Sequence, residues 1–327
     1  MAVTGDKQII AAGGYPTIRL YSVASITSEA HELPFENERP ASLRPGTCSQ
    51  AAIQVLEGHT GNVVALGFFR DQTRMWSCSD DGTIRLWDLL KNNCTLVLST
   101  GSANNCAVMH PREHLLLTGD DNGTLRLWDM VAMLDKASVS SDYTRFLLSE
   151  ATIPLTRSPP TAMVETVSPI QSICLAPDGL LFAAIDRAGR VHLRKIKAEK
   201  IIEEVSLDAD QQNHSNTLLA HQDYGTKCVF SPDGKLLLTC SSDRTARLWT
   251  IVEDGLGLVV RLFRVFEGHT RWVWDAAFSA DGAYLLTASS DNTARLWEVA
   301  SGDSVAIYSG HCKAVKAMAL NDLPITI

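Results

Sequence analysis

The chain has no apolar run of the roughly 18 residues that a membrane-spanning helix needs. Its opening stretch, MAVTGDKQII, carries neither a signal-peptide core nor an Arg-rich transit pattern. Both absences point to a cytoplasmic or nuclear setting without direct membrane insertion, any recruitment to endomembranes being left to partners. Excess positive charge is also missing. With 29 Lys and Arg against 37 Asp and Glu, the net charge is −8, which argues against phosphate-backbone binding as the main task. The mixed-sign stretch Arg194 to Lys200 reads as a solvated strand end, so no nucleic acid is expected as a partner. None of the eight cysteines forms a C-x-x-C pair, and they read as buried reduced thiols rather than a disulfide framework or a zinc site.

Motifs that carry chemistry are scarce as well. There is no Walker-type phosphate loop and no G-x-S-x-G. His110-Pro111-Arg112-Glu113-His114 has the spacing of a zinc-peptidase motif, but that motif needs a helix to bring both imidazoles to one face. Pro111 falls instead in a turn between two strands. Asn93-Cys94-Thr95, Asn122-Gly123-Thr124 and Asn213-His214-Ser215 fit the glycosylation pattern and mean little without a secretion signal. No catalytic residue, metal site or cofactor is assigned.

Repetition is what the chain does have. A strand ending in Leu-Trp recurs as TIRLWD (Thr83 to Asp88), TLRLWD (Thr124 to Asp129), TARLWT (Thr245 to Thr250) and TARLWE (Thr293 to Glu298). TIRLYS (Thr17 to Ser22) and RVHLRK (Arg190 to Lys195) are weaker copies, making six. Three copies follow a histidine, His59, His221 or His269, each 28 residues before its tryptophan. Between histidine and tryptophan the chain reads as three short strands: Val273 to Phe278, Tyr284 to Ala288 and Thr293 to Trp297 in the clearest unit. A fourth strand follows at Ser304 to Tyr308. Four strands per unit of roughly 40–50 residues is the propeller-blade pattern. The fold class expected is therefore all-β, a WD-repeat β-propeller with six recognisable blades in one domain over residues 1–327. Segments of about 24–50 and 131–165, rich in Ser, Pro and charge, read as long exposed loops.

The recurring polar residues group into sets: His59, Ser79, Asp81 and Trp87; His221, Ser241, Asp243 and Trp249; His269, Ser289, Asp291 and Trp297. A Ser/His/Asp grouping invites a hydrolase reading, but threefold repetition argues for a buried structural network, because catalysis needs one site. Two units lack the full set and are expected to be less rigidly held. Asn122 stands at one turn-aspartate position without a matching histidine, and the unit ending Leu193-Arg194 has neither aspartate nor tryptophan. Arg271, Trp272 and Trp274 are additional to the repeat, since equivalent positions hold Asn62 and Val64, or Tyr224 and Thr226. Exposed Trp and Arg are favoured interface anchors, so these three are the candidate protein-binding residues.

The segment Arg271 to Trp297, followed by Tyr308 to Asp322, resembles the closing repeats of the G-protein-β-like WD-repeat subunits of target-of-rapamycin (TOR) kinase complexes. His221 to Asp243 and Ile9 to Tyr21 resemble the same family, in the same order. The resemblance implies a seven-bladed propeller that binds and stabilises the TOR kinase catalytic domain beside other TOR-complex subunits. It implies no chemistry by the propeller itself, and it makes Trp272 and Trp274 the residues for kinase contact. The two long loops depart from the family. So does the start: aligned on its own repeats, Met1 to Asp6 corresponds to Ala276 to Asp281, inside a first strand. From this, an upstream repeat and a strained or open closure of the given chain are expected. A substrate receptor of a cullin-type ubiquitin ligase is the alternative. Its W-D-x-x-R pattern is approached only by Trp87-Asp88-Leu89-Leu90-Lys91, which ends in lysine. A propeller enzyme is the third class, without a supporting motif.

Overall fold

The computed structural model describes residues 2–4, 6, 8–22, 52–131, 133, 162–166, 168–197, 200–204, 217–254 and 257–318. The strands form six antiparallel sheets, each built from consecutive strands. Sheet 1 holds β1 (Ala2–Val3), β2 (Ile9–Gly13), β3 (Ile18–Ser22) and β4 (Gln54–Leu56). Sheet 2 holds β5 (Val63–Phe68), β6 (Arg74–Ser79), β7 (Thr83–Asp88) and β8 (Asn93–Ser99). Sheet 3 comprises β9 (Asn104–Met109), β10 (Leu115–Asp120), β11 (Thr124–Asp129) and β12 (Ala162–Glu165). Sheet 4 comprises β13 (Ile170–Leu175), β14 (Leu181–Asp186), β15 (Arg190–Lys197), β16 (Lys200–Glu204) and β17 (Thr217–Leu219). Sheet 5 runs β18 (Gly225–Phe230), β19 (Leu236–Ser241), β20 (Ala246–Asp254), β21 (Gly257–Phe266). Sheet 6 runs β22 (Val273–Phe278), β23 (Tyr284–Ser289), β24 (Ala294–Glu298), β25 (Ser304–Tyr308). These are β-propeller blades, six among the described residues where the resemblance implies seven. The described residues divide into two compact units, the first up to Asn104 with sheets 1 and 2, the second from Asn105 with sheets 3 to 6.

The sequence explains the layering within each sheet. The second strand is covered on both faces and reads as a near-continuous small or apolar run: LLLTGD in β10 and LFAAID in β14 are buried throughout. The outermost strand is paired on one side only and reads polar or mixed, as in β25. Cores lie between neighbouring sheets of a unit. Leu238, Leu248 and Phe266 pack with Val273, Leu285 and Trp297 between sheets 5 and 6. Gly13 permits a close approach of sheets 1 and 2, since a Cβ there would lie 2.8 Å from Leu66 and 2.9 Å from Val63.

One turn repeats through the chain. The residue closing the first strand donates a hydrogen bond across it: Thr4 N–H donates to the Ile9 carbonyl at 3.0 Å and Ser279 N–H to that of Tyr284 at 2.9 Å. In three sheets a hydroxyl there also donates to an aspartate two residues on: Thr4 to Asp6, Ser231 to Asp233 and Ser279 to Asp281. The next turn demands a left-handed residue, supplied by Gly82, Gly123 and Gly189 (φ 75–82°), but by Arg244 (φ 73°) and Asn292 (φ 68°) in sheets 5 and 6. The first strand also carries a bulge at one fixed place. The ladder skips a residue between Val63 and Ala65, Ile170 and Ser172, Gly225 and Lys227, and Val273 and Asp275. Trp274 is thus a bulge residue.

Three expectations need correction. The second long loop, expected to run to 165, ends earlier: Ala162–Glu165 is the fourth strand of sheet 3, pairing with β11. The rest of that loop, from 134 on, and residues 24–50 lie outside the described residues. In sheet 4 the outer strand comes in two pieces, β16 against the end of β15 and β17 against its start. The thiols are not uniformly buried. Seven described cysteines are free, and Cys312 is exposed, because residues 309–318 carry no strand. That segment still follows sheet 6 as β5 follows sheet 1. Val315 N–H donates to the Ser289 carbonyl at 3.0 Å, as Val63 N–H does to that of Gly14 at 3.3 Å.

Candidate functional site

The buried networks form in sheets 2, 5 and 6, around a different hydroxyl from the one expected. His59 Nδ1 lies 2.8 Å from Asp81, and its Nε2 lies 2.7 Å from the hydroxyl of Ser77, not Ser79. Trp87 Nε1 donates to the same Ser77 oxygen at 2.8 Å. In sheet 5 the hydroxyl belongs to Thr239, 2.9 Å from His221 and 3.0 Å from Trp249. In sheet 6 it belongs to Thr287, 2.8 Å from both His269 and Trp297. His221 and His269 each hold their aspartate, Asp243 or Asp291, at 2.8 Å. The expected Ser79, Ser241 and Ser289 sit one ladder step nearer the turn. There they accept the backbone N–H of Asp81, Asp243 and Asp291 at 3.0–3.2 Å. Both positions share a strand face, and the indole reaches the inner one.

The donors close into a directed chain. The aspartate only accepts, so the histidine Nδ1 carries the proton; Nε2 then accepts from the hydroxyl, whose oxygen accepts from the indole. Burial raises the Asp81, Asp243 and Asp291 carboxyls, but hydrogen bonds from histidine and threonine outweigh it, lowering Asp243 to about 2 and the other two further. Burial pushes His269 below its ordinary value, and Asp291 offsets only part of this, which keeps the ring neutral near pH 7.

The two units without the full set are rewired rather than merely depleted. In sheet 3 the carboxylate has moved two residues upstream of Asn122, to Asp120, which is fully buried. Asp120 accepts the N–H groups of Asn122 and Thr124 at 3.0 and 2.6 Å and pairs with the Arg126 guanidinium. Sheet 4 repeats this with Asp186, which accepts the Arg190 N–H at 2.9 Å and the His192 ring at 3.1 Å. The expected lack of a turn carboxylate is therefore compensated at the strand end. The zinc-motif histidine is also accounted for. His110 Nε2 donates to the Gly179 carbonyl at 3.1 Å and Nδ1 accepts the Arg112 N–H at 3.1 Å, so neither ring nitrogen is free for a metal.

Arg271, Trp272 and Trp274 come together at the entry to β22. Arg271 is exposed and Trp272 is 42% exposed, while Trp274 is half-buried. The two indoles are 5.4 Å apart between centroids and tilted by 50°. Tyr224, at the equivalent position in sheet 5, meets Trp272 edge-on at 6.0 Å. Trp274 is anchored: its Nε1 donates to the Ser290 hydroxyl, and the Lys316 ammonium lies 5.3 Å over its ring. Sequence reasoning missed Tyr224 and Lys316 as members of this cluster. Tyr224 was findable, because it occupies the repeat position of Trp272 one unit earlier. The tryptophan of the W-D-x-x-K segment, Trp87, is buried, and Lys91 pairs with Asp88 at 3.6 Å.

The WD domain, G-beta repeat family matches residues 50–88, 92–129, 212–250 and 260–298, each match ending on a Trp-bearing strand or the residue after it. Over 326 residues the chain is 31% identical to the Mus musculus protein named target of rapamycin complex subunit LST8, covering 98% of this chain and 84% of that one. It is 33% identical to target of rapamycin complex subunit wat1 of Schizosaccharomyces pombe over 333 residues, 99% and 86% of the two chains. Against LST8 of Saccharomyces cerevisiae it is 32% identical over 323 residues, 99% and 88%.

Proposed function

The chain belongs to the LST8 family of target of rapamycin complex subunits, and from that premise we propose that it is a scaffold subunit that binds and stabilises the TOR kinase domain. The observation that carries this reading is the aromatic cluster of Tyr224, Trp272 and Trp274. A 42%-exposed indole, backed by two further rings and flanked by Arg271, has the composition of an interface hot spot. Isolated exposed apolar residues are ordinary on a protein surface, but three rings in contact from two neighbouring sheets are a patch.

The reading gives the chain no chemistry of its own. Ser77, Thr239 and Thr287 are fully buried and already accept from an indole, so none is placed to attack a substrate. Its role is instead to hold the kinase domain in its folded, active arrangement, since a partner that binds only the native state stabilises it by mass action.

The test is affinity purification of the full chain with quantitative mass spectrometry, followed by thermal unfolding of the co-expressed kinase domain with and without it. TOR kinase should be the dominant large partner and should unfold at higher temperature in the complex. Recovery of a cullin adaptor in place of the kinase would overturn the proposal.

A further inference from the structure

Around the three rings, the polar groups sort into those already committed and those left over. Trp274 has given its N–H to Ser290 and one ring face to Lys316. Asp275, the carboxylate on the next residue, accepts the Met318 N–H at 3.0 Å and pairs with Lys227 at 3.5 Å. The Lys316 position is held from both sides, by Val315 N–H on the Ser289 carbonyl at 3.0 Å and by Met318 N–H on Asp275. The backbone that carries Lys316 is therefore fixed beside Trp274, and its ammonium lies 5.3 Å over the indole.

What remains is donor-rich. Among the described residues the Trp272 indole N–H, the Tyr224 hydroxyl and the Arg271 guanidinium make no hydrogen bond or ion pair, and all three residues are exposed. Indole and guanidinium can only donate. Arg271 and Lys313 stand at the same position, two residues after His269 and His311, and Lys316 follows. All three cations are exposed. Asp223, beside Tyr224, bounds this strip on the sheet 5 side. In a chain with net charge −8, exposed cations at 271, 313 and 316, one next to Trp272 and one over Trp274, make this shelf better suited to an acidic partner than to a basic one.

We propose that this face takes an acidic segment of its protein partner, with a carboxylate between Arg271 and Lys316 and a neighbouring bulky apolar side chain laid on Trp272. The inference rests on the kinase-scaffold reading and specifies the chemistry of the docked segment. Arg271 supplies a planar fork that fits a carboxylate in bidentate fashion. Lys316 supplies a point charge, and the Trp272 N–H aims a further donor at the same segment. A basic segment would face three like charges, and a purely apolar one would leave Arg271 and Lys316 desolvated without an acceptor.

The experiment uses the full chain co-expressed with the TOR kinase domain, comparing wild type, Arg271→Glu/Lys316→Glu, Arg271→Lys/Lys316→Arg and Trp272→Ala. Thermal midpoints show that each variant is folded, and single Gln substitutions replace the double reversal if it is not. Charge reversal should lower kinase affinity by about tenfold or more. The conservative pair should stay within a few-fold of wild type, whose affinity should fall as salt rises. Wild-type affinity in the reversed variant, with binding lost in Trp272→Ala, overturns the acidic assignment while leaving the face in place. Unchanged binding in both variants overturns the face as well, though the scaffold reading survives. Failure of the wild-type chain to hold the kinase overturns the parent reading and this inference with it.

Discussion

Asp186 accepts a hydrogen bond from the His192 ring at 3.1 Å, six residues further along the chain, with both side chains buried. Asp120 and Arg126 stand in the same relation one sheet earlier. In each case a carboxylate at the end of the second strand pairs with a cation-forming group on the third, and the backbone of the turn folds over it.

Asp120→Ala should therefore destabilise the second unit by about 3–5 kcal/mol, because the Arg126 guanidinium, 11% exposed, would lose its counter-charge. Asn122→Asp, which restores the turn aspartate of the other units, should do little by itself, since sheet 3 has no histidine to receive it. Urea denaturation of the three proteins checks both statements. An Asp120→Ala midpoint equal to wild type would remove the pair as a structural element.

In sheet 5, Thr239→Val should cost more than Ser241→Ala. The first leaves the Trp249 N–H and His221 Nε2 buried without a partner, a loss of about 2–4 kcal/mol, whereas the second removes one turn hydrogen bond worth about 1 kcal/mol. Asp243→Ala should fall with Thr239→Val, and Thr239→Ser should be tolerated, because Ser77 does the same task in sheet 2. Thermal unfolding of the set gives the order. Ser241→Ala as the worst variant would restore the outer serine to the network.

Acid should undo these networks in a defined window. The folded carboxyls of Asp81, Asp243 and Asp291 lie below the ordinary value of 3.8, so the stability they contribute is complete above about pH 4 and is lost as pH falls through the folded values, about 2 for Asp243. The Asp243 shift is worth about 1–2 kcal/mol after partial solvent screening. His269 has the same sign. Its folded value lies below 6.5, so its contribution is full above pH 6.5 and declines as pH drops below that. Denaturant midpoints from pH 7 to pH 2 should fall first gently and then steeply below pH 4. The early decline should be smaller in His269→Gln if that variant folds, the remainder coming from His110, which burial also holds below its ordinary value.

Arg244 occupies a left-handed turn position at φ 73° that glycine fills in sheets 2, 3 and 4. Arg244→Gly should raise stability by about 1 kcal/mol or less, relief of backbone strain being partly offset by the greater entropy of the unfolded chain. A drop in the thermal midpoint would mean that the arginine side chain has a role the turn geometry does not reveal.

Much of the fold was legible because strand patterning and turn chemistry coincide. Val273–Phe278 and Ser304–Tyr308 lie where alternation placed them, and the tight turn at Asp291-Asn292 follows from its residues. The choice of hydroxyl was not legible. Ser77 and Ser79 lie on one face of β6, and only the reach of the Trp87 indole separates them. Nor was the migration of the carboxylate to Asp120 and Asp186 visible, because spacing from a histidine ahead of the first strand was the search key and neither sheet has one there. The residues of the candidate surface stood out as surplus to the repeat. Lys316 did not, since its position over Trp274 depends on hydrogen bonds made by its neighbours Val315 and Met318.

The bulge at the start of the first strand separates two jobs that a ladder residue would have to do together. Val64, Gln171, Thr226 and Trp274 occupy that place in sheets 2, 4, 5 and 6, and no ladder register is assigned to any of them. An aliphatic, an amide, a hydroxyl and an indole are thus accepted by one backbone frame without a change in the pairing around them. The scaffold behaves like a rack of sockets, in which surface chemistry can be exchanged one blade at a time while the frame that carries it keeps its register.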